Sequence, residues 1–266
     1  GHPFHLSYCY TPLRYAWELE YARSAPFAPW PLTRAFARPV AAWLRRWDRR
    51  ASERVNFFIA DSKFIAEKVR TYYGRDAAVI YPPVDTRTFY PEVVPGTKEY
   101  FLMVGRLLYY KRFDLGIRAF NELRLPLKVV GQGPEAAKLK TLATSPYIEF
   151  IPNASDADLR LLYSNARALV FPQVEDFGLV AAEALACGTP VVAFNGGGGA
   201  ETVEHRTTGL LFDEQTPQAI ARTVRDLESL KLNRQAIARR GARFSEEEFL
   251  KQFRSLLGSI GFPVRS

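Results

Sequence analysis

Two glutamates carry the clearest chemical signal in this chain. They lie eight residues apart, Glu175 and Glu183, within ALVFPQVEDFGLVAAEALACGTPVVAFNGGGGAETV, Ala168 to Val203. Glu183 is the only charged side chain from Phe177 to Ala193 and is set among Leu179, Val180, Ala182, Leu185 and Ala186. Burying an unpaired carboxylate costs several kcal/mol, so a chain that places one here must give it a partner. On a helix beginning at Gly178, side chains lean back toward the N-terminus, which directs Glu183 toward the end that Glu175 flanks. A helix N-terminus offers free N–H groups and a positive dipole end to phosphate, and acceptor-only carboxylates suit sugar or ribose hydroxyls. A sugar nucleotide presents both chemistries. The plainer alternative is a core glutamate bonded to neighbouring backbone, with Glu175 in a solvated loop.

The elements that must position these groups are legible around them. Ala168 to Phe171 reads as a strand, Pro172 opens a loop, Gly178 to Cys187 reads as a helix stopped by Gly188 and Pro190, and Val191 to Phe194 reads as a second strand. The same alternation starts at Tyr100. Its strands are YFLMVG, LKVVG, IEFI, ALVF and PVVAF, with helices expected over 112–123, 135–143, 156–165 and 178–187. A strand over 208–212, a helix over 217–230 and one or two amphipathic helices over 233–260 complete the series. This spacing predicts a doubly wound parallel sheet, whose ligands sit beyond the carboxyl ends of the strands.

Upstream, His5 to Tyr10, Val55 to Ala60 and Ala77 to Ile80 read as strands, with Asp61 or Ser62 capping the helix KFIAEKVRTYYG. The expected division is a domain over 1–90, a proline-bearing linker over 91–99, a second domain over 100–240 and a C-terminal helix over 241–266 that packs back on the first part. Residues 32–54 are helical in pattern, with Pro39 expected to kink or divide the helix. Leu32, Phe36, Val40, Trp43 and Trp47 share one face, and Arg34, Arg38, Arg45, Arg46, Arg49, Arg50 and Arg54 lie around the others. Both a membrane-surface helix and an arginine-rich packed helix look like this.

Composition narrows the class. The 266 residues are 47% hydrophobic and 24% charged, as in a soluble globular protein. Cys9 and Cys187 sit in apolar surroundings without metal spacing, which reads as reduced thiols and a cytoplasmic protein. No apolar run reaches the ~18 residues that cross a bilayer. The net charge of +8 suggests an anionic partner. Nucleic acid is not expected, because aromatic stacking motifs are absent.

With these residues in place, the chain resembles a retaining glycosyltransferase of the GT-B fold, family four. The motifs are MVGRLLYYKRFD, VVGQGPE, ALVFPQVEDFG, the pair Glu175 and Glu183, and GGGGAETV followed by TTGLLF. Upstream, HLSYCYTPLRYAWEL resembles bacterial members that attach mannose or related sugars to lipid-linked polysaccharide such as O-antigen. The resemblance implies an α/β fold: a complete C-terminal Rossmann-like doubly wound parallel sheet plus a partial N-terminal Rossmann-like domain. It implies that Arg106 and Lys111 hold the donor diphosphate, Glu175 contacts the sugar and Glu183 the ribose. Gly105, Gly131 and Gly133 would line the nucleotide at strand ends, and Phe177, Gly178 and Leu179 would present backbone N–H groups. The implied activity is hexosyl transfer with retention, from a sugar nucleotide (GDP-mannose ahead of a UDP-sugar) to a lipid-linked or saccharide acceptor. No cofactor or metal is expected, and the arginine-rich helix is the candidate contact with the inner membrane face.

Two departures and one decoy stand beside that reading. Members of the family usually carry histidine beside the donor sugar where this chain has Tyr10, which either replaces its hydrogen bonding or is a buried strand residue. The chain matches only the last part of the usual N-terminal domain, so uncovered apolar faces, self-association and a non-catalytic sugar-nucleotide-binding module are also expected. Asp156-Ala-Asp158 spells an acidic pair that other glycosyltransferase folds use for a metal. Following Ser155, it fits a helix capping box better. His2, His5 and His205 show no ligand spacing.

Overall fold

Short apolar runs that end at glycine or proline become the strands, because β-branched and aromatic side chains fill a sheet buried on both faces. The structure, a computed structural model, describes residues 3–18, 31–92 and 100–262, and of residues 31–37 the backbone alone. The chain divides into two units, Gly1–Tyr81 and Pro82–Ser266. The division falls ahead of the proline-bearing stretch at 91–99, of which residues 93–99 lie outside the described residues.

The first unit holds a parallel sheet of β1 (Leu6–Cys9), β2 (Phe57–Ala60) and β3 (Ala77–Val79) in that order. Between β1 and β2 run α1 (Arg14–Trp17) and α2 (Pro31–Ser52). α2 continues unbroken through Pro39, so the expected division there does not occur. α3 (Lys63–Tyr73) follows β2, and the cap is Ser62, whose hydroxyl accepts from Ile65 N at 3.0 Å. Gly74 ends α3 at φ 67°, a left-handed turn that glycine adopts without strain. Phe58, Ile65 and Val69 form the apolar centre of this unit.

The second unit carries six strands, all parallel: β4 (Phe101–Val104), β5 (Leu127–Val130), β6 (Ile148–Ile151), β7 (Leu169–Phe171), β8 (Val191–Phe194) and β9 (Gly209–Phe212). Their spatial order is β6-β5-β4-β7-β8-β9. Successive connections therefore run one way from β4 to β6, then return to start again at β7, which leaves a switch point between β4 and β7. The helices are α4 (Phe113–Leu123), α5 (Ala136–Leu142), α6 (Asp156–Asn165), α7 (Leu179–Ala186), α8 (Gly198–Thr202), α9 (Pro217–Glu228), α10 (Arg234–Gly241) and α11 (Glu246–Ser259). α4 packs with α5 and α9, and α7 packs with α6 and α10, giving a helical layer on each face. This is the expected doubly wound α/β fold. Phe101, Met103, Ile117, Phe120, Val129, Ile220 and Val224 meet in its main core.

Candidate functional site

The carboxyl ends of β4, β5, β7 and β8 meet through glycines. After β4, Gly105 takes φ 147°, and after β5, Gly131 takes φ 138°. A methyl group on Gly131 would lie 2.0 Å from Gly105 O, and one on Gly133 would lie 2.3 Å from Leu107 O. Leu107 N donates to Gln132 O at 2.8 Å. These glycines thus let two strand-end loops touch, whether or not a ligand lies beyond them. On the other side of the switch point, Gly197 and Gly198 serve the same end. Gly198 N donates to Glu175 O at 2.7 Å, and a methyl group on Gly198 would lie 1.8 Å from Asp176 O.

The charged groups sit on this frame. Arg106 is exposed just past β4, and its guanidinium makes no hydrogen bond or ion pair among the described residues. Lys111 ends a 3-10 turn, Tyr109–Lys111, that brings its ammonium back over Gly105. It pairs there with Glu175 Oε1 from the β7 loop. Gln173, buried in the same loop, donates to Glu175 Oε1 at 3.5 Å. Glu175 is therefore half-buried and ion-paired, not a solvated loop residue.

Gly178 caps α7 at φ 98°, where a methyl group would come within 3.1 Å of Gly199 Cα. The first helical bonds run from Ala181 and Ala182 to Gly178 O. The amides of Leu179 and Val180 stand ahead of that ladder, as an anion seat requires. Leu179 is exposed, and Phe177 is buried edge-on to Phe244 with centroids 5.4 Å apart.

Glu183 turns to α6. Its Oε2 accepts from the hydroxyl of Tyr163 at 3.0 Å, so the partner is a side chain and not the backbone. Burial pushes the carboxyl up to about 7; the Tyr163 hydrogen bond pulls the other way and Asp156 adds repulsion. The two glutamates are thus held by different partners, Glu175 by Lys111 and Glu183 by Tyr163. Sequence reasoning missed Tyr163, which reads as one more apolar-face residue of α6, and Gln173 and Arg234, whose partners are remote in the chain.

Tyr10 belongs to the first unit. It lies one residue past β1, exposed and edge-on to Tyr8 at 5.1 Å, so the buried-strand reading of Tyr10 does not hold. Ser155 and Asp158 form a reciprocal capping box on α6. Among the described residues no His, Cys, Asp and Glu cluster could hold a metal ion. His205 Nδ1 accepts from Leu211 N at 3.1 Å, and His2 lies outside the described residues.

Six parallel strands with glycine-built crossings and opposed charges at their switch point define a doubly wound α/β domain. The chain belongs to the glycosyl transferases group 1 family, whose family model matches residues 85–244. A D-inositol 3-phosphate glycosyltransferase of Kineococcus radiotolerans is 32% identical over 237 residues, covering 74% of this chain and 54% of that protein. An uncharacterized glycosyltransferase of Methanocaldococcus jannaschii is 28% identical over 193 residues, covering 71% of this chain and 54% of that one. The chain spans about half the length of the curated relatives it matches. Among solved structures, the sucrose-phosphate synthase of Thermosynechococcus elongatus superposes with a TM-score of 0.75 at 23% identity, covering 96% of this chain and 67% of that one. Anabaena HepE in complex with UDP and glucose gives 0.68 at 22%, covering 81% and 66%. These neighbours share the GT-B fold. No described helix is long and apolar enough to cross a membrane.

Proposed function

We propose that this chain takes a sugar nucleotide at the carboxyl ends of β4, β5, β7 and β8 and serves hexosyl transfer with retention, as in family four. The observation that carries the reading is the Lys111–Glu175 pair at the switch point. A donor offers each member a replacement: diphosphate oxygens for the ammonium, sugar hydroxyls for the carboxylate. Arg106, free at the same edge, adds a bidentate fork, and the α7 amides add a dipole end. In the transfer the bond from the anomeric carbon to the diphosphate breaks and its electron pair leaves on the phosphate. The acceptor hydroxyl bonds to that carbon on the same face and its proton passes to the leaving phosphate. Arg106, Lys111 and the α7 amides stabilise the charge that develops there. Glu183 takes the ribose hydroxyls. Gly105, Gly131 and Gly133 form the floor, and Tyr10 belongs to the sugar or acceptor side.

The SYCYTP segment favours GDP-mannose and a lipid-linked or saccharide acceptor. The UDP and glucose bound by HepE support a UDP-hexose as the second donor. Calorimetric titration of GDP-mannose, UDP-glucose, GDP and UDP tests both. One nucleotide should bind, and Arg106→Ala and Glu175→Ala should each weaken it at least about tenfold, the loss of one charge-assisted contact. A folded chain that binds none of the four overturns the reading. Turnover with a lipid-linked acceptor separates a transferase from a binding module.

The outward side of α2 supports contact with an anionic membrane surface. Trp43 and Trp47 are 64% and 53% exposed, with Arg46 and Arg50 exposed beside them, while Ala41 is buried. The inward side is taken up by Arg45, which donates to Ala16 O, and Asp48, which accepts from Trp17 Nε1. Sedimentation with anionic but not neutral vesicles, lost in Trp43→Ser/Trp47→Ser, is the expected result. Concentration-dependent self-association without vesicle binding overturns it.

A further inference from the structure

The most constrained polar contact near the candidate site lies behind it. Tyr163 is fully buried on α6, and its hydroxyl donates to Glu183 Oε2 at 3.0 Å. The tyrosine is itself held. Its backbone carbonyl accepts from Thr189 Oγ1 and from Arg234 Nη2, and Arg234 also binds the carbonyls of Ser164 and Ala166 at 2.6 and 2.8 Å. Its ring packs edge-on to Phe89 at 6.0 Å. A chain of contacts therefore runs from Arg234 and Thr189 through Tyr163 to one carboxylate oxygen of Glu183.

We infer that Tyr163 is a positioning residue for donor binding: it fixes the rotamer of the Glu183 carboxylate through one oxygen, so that the other oxygen is presented to the vicinal hydroxyls of the donor's ribose. The inference rests on the reading of Glu183 as the ribose acceptor. Its chemistry is specific. A carboxylate accepts two diol hydrogens only when ionised, and a half-buried carboxyl with no donor nearby holds its proton. A hydroxyl donor bonded to one oxygen stabilises the charged form and leaves the second oxygen open.

The other charged groups around α7 are engaged elsewhere or oppose ionisation. From α6, Asp156 repels the carboxylate, Asp158 is in its capping box and Arg160 pairs with Glu92. From α10 and the following 3-10 turn, Arg234 serves carbonyls, and Arg240 and Arg243 pair with Glu204. Cys187, the C-cap of α7, interacts with Glu183 as a neutral thiol raised to about 12 by burial. Glu175 of the β7 loop is matched by Lys111. Tyr163 is thus the group that favours the ionised carboxylate.

The test is titration of GDP-mannose and UDP-glucose into the full chain from pH 5.5 to 9, with Tyr163→Phe and Glu183→Gln beside the native protein. Native affinity should rise with pH as Glu183 ionises. Tyr163→Phe should move that midpoint up by about half a unit to one unit, the size of one net hydrogen bond, with high-pH affinity largely recovered. Glu183→Gln should bind weakly and without the pH dependence. An unmoved midpoint in Tyr163→Phe, with Glu183→Gln still impaired, overturns the positioning role alone. Unchanged affinity in Glu183→Gln overturns the ribose reading beneath it. The ¹³C carboxyl titration of Glu183, read without ligand, gives the same comparison directly: an unshifted curve in Tyr163→Phe rejects the coupling, and thermal melting checks that the variant is folded.

Discussion

Lys111 Nζ pairs with Glu175 Oε1 across the point where the strand order of the six-stranded sheet reverses, tying the turn after β4 to the loop after β7. The two side chains keep only 13% and 18% of their exposure, so water screens the pair weakly. Without its partner, either charge is left partly desolvated beside backbone that glycine brings close.

A double-mutant cycle measures that coupling. Lys111→Met and Glu175→Gln should each destabilise the chain in urea, and the double variant should lose less than their sum by about 1–2 kcal/mol. Additive losses would mean that the pair holds nothing together.

Gly131→Ala and Gly74→Ala separate two costs of replacing glycine. At Gly74 (φ 67°) nothing lies within 4 Å of an added methyl, so the left-handed backbone alone should cost about 1–2 kcal/mol. At Gly131 (φ 138°) the methyl meets Gly105 O at 2.0 Å, and the loss should exceed about 3 kcal/mol, as clash adds to strain. Equal shifts in urea midpoint would contradict the interlocked loops.

Glu183 makes stability depend on pH in a stated direction. Its carboxyl rises from the ordinary 4.5 to about 7 on folding, so the folded chain binds more protons than the unfolded one between those values. Its contribution is complete below pH 4.5 and is lost as pH rises through about 7, on the order of 3 kcal/mol in all. Relative to native protein, Glu183→Gln should therefore look more stable at pH 8 than at pH 5. A pH-independent difference in urea unfolding would show that Glu183 titrates normally.

The acidic pair of α6 should behave as a helix cap. Ser155→Ala and Asp158→Ala should each cost about 1 kcal/mol by thermal melting, and Asp156→Asn much less. Adding Mg²⁺ or Mn²⁺ should leave the melting temperature of all four proteins unchanged. A metal-dependent rise abolished by Asp156→Asn would reverse the assignment.

The alternation of strands and helices from β4 on, the parallel α/β class and the cap of α6 were legible in the sequence, because these follow from local periodicity and from side chains reaching backbone within one turn; the short helix α8 was not read there. The sequence also placed Arg106, Lys111 and Glu175 at strand ends, since an open α/β sheet leaves few other positions for loop charges. Their partners were set by long-range packing. Lys111 meets Glu175 because the chain leaves the sheet after β6 and re-enters beside β4, a choice made by the packing of helices on both faces and not by any local run. Glu183 meets Tyr163, 20 residues away, for the same reason. The outward turn of Val40, Trp43 and Trp47 was equally illegible: at these described positions the stripe that reads as apolar is exposed, because Trp17 engages Arg45, Arg49 and Asp48 on the other side. Periodicity gives a helix its stripe, but long-range packing chooses which stripe is covered.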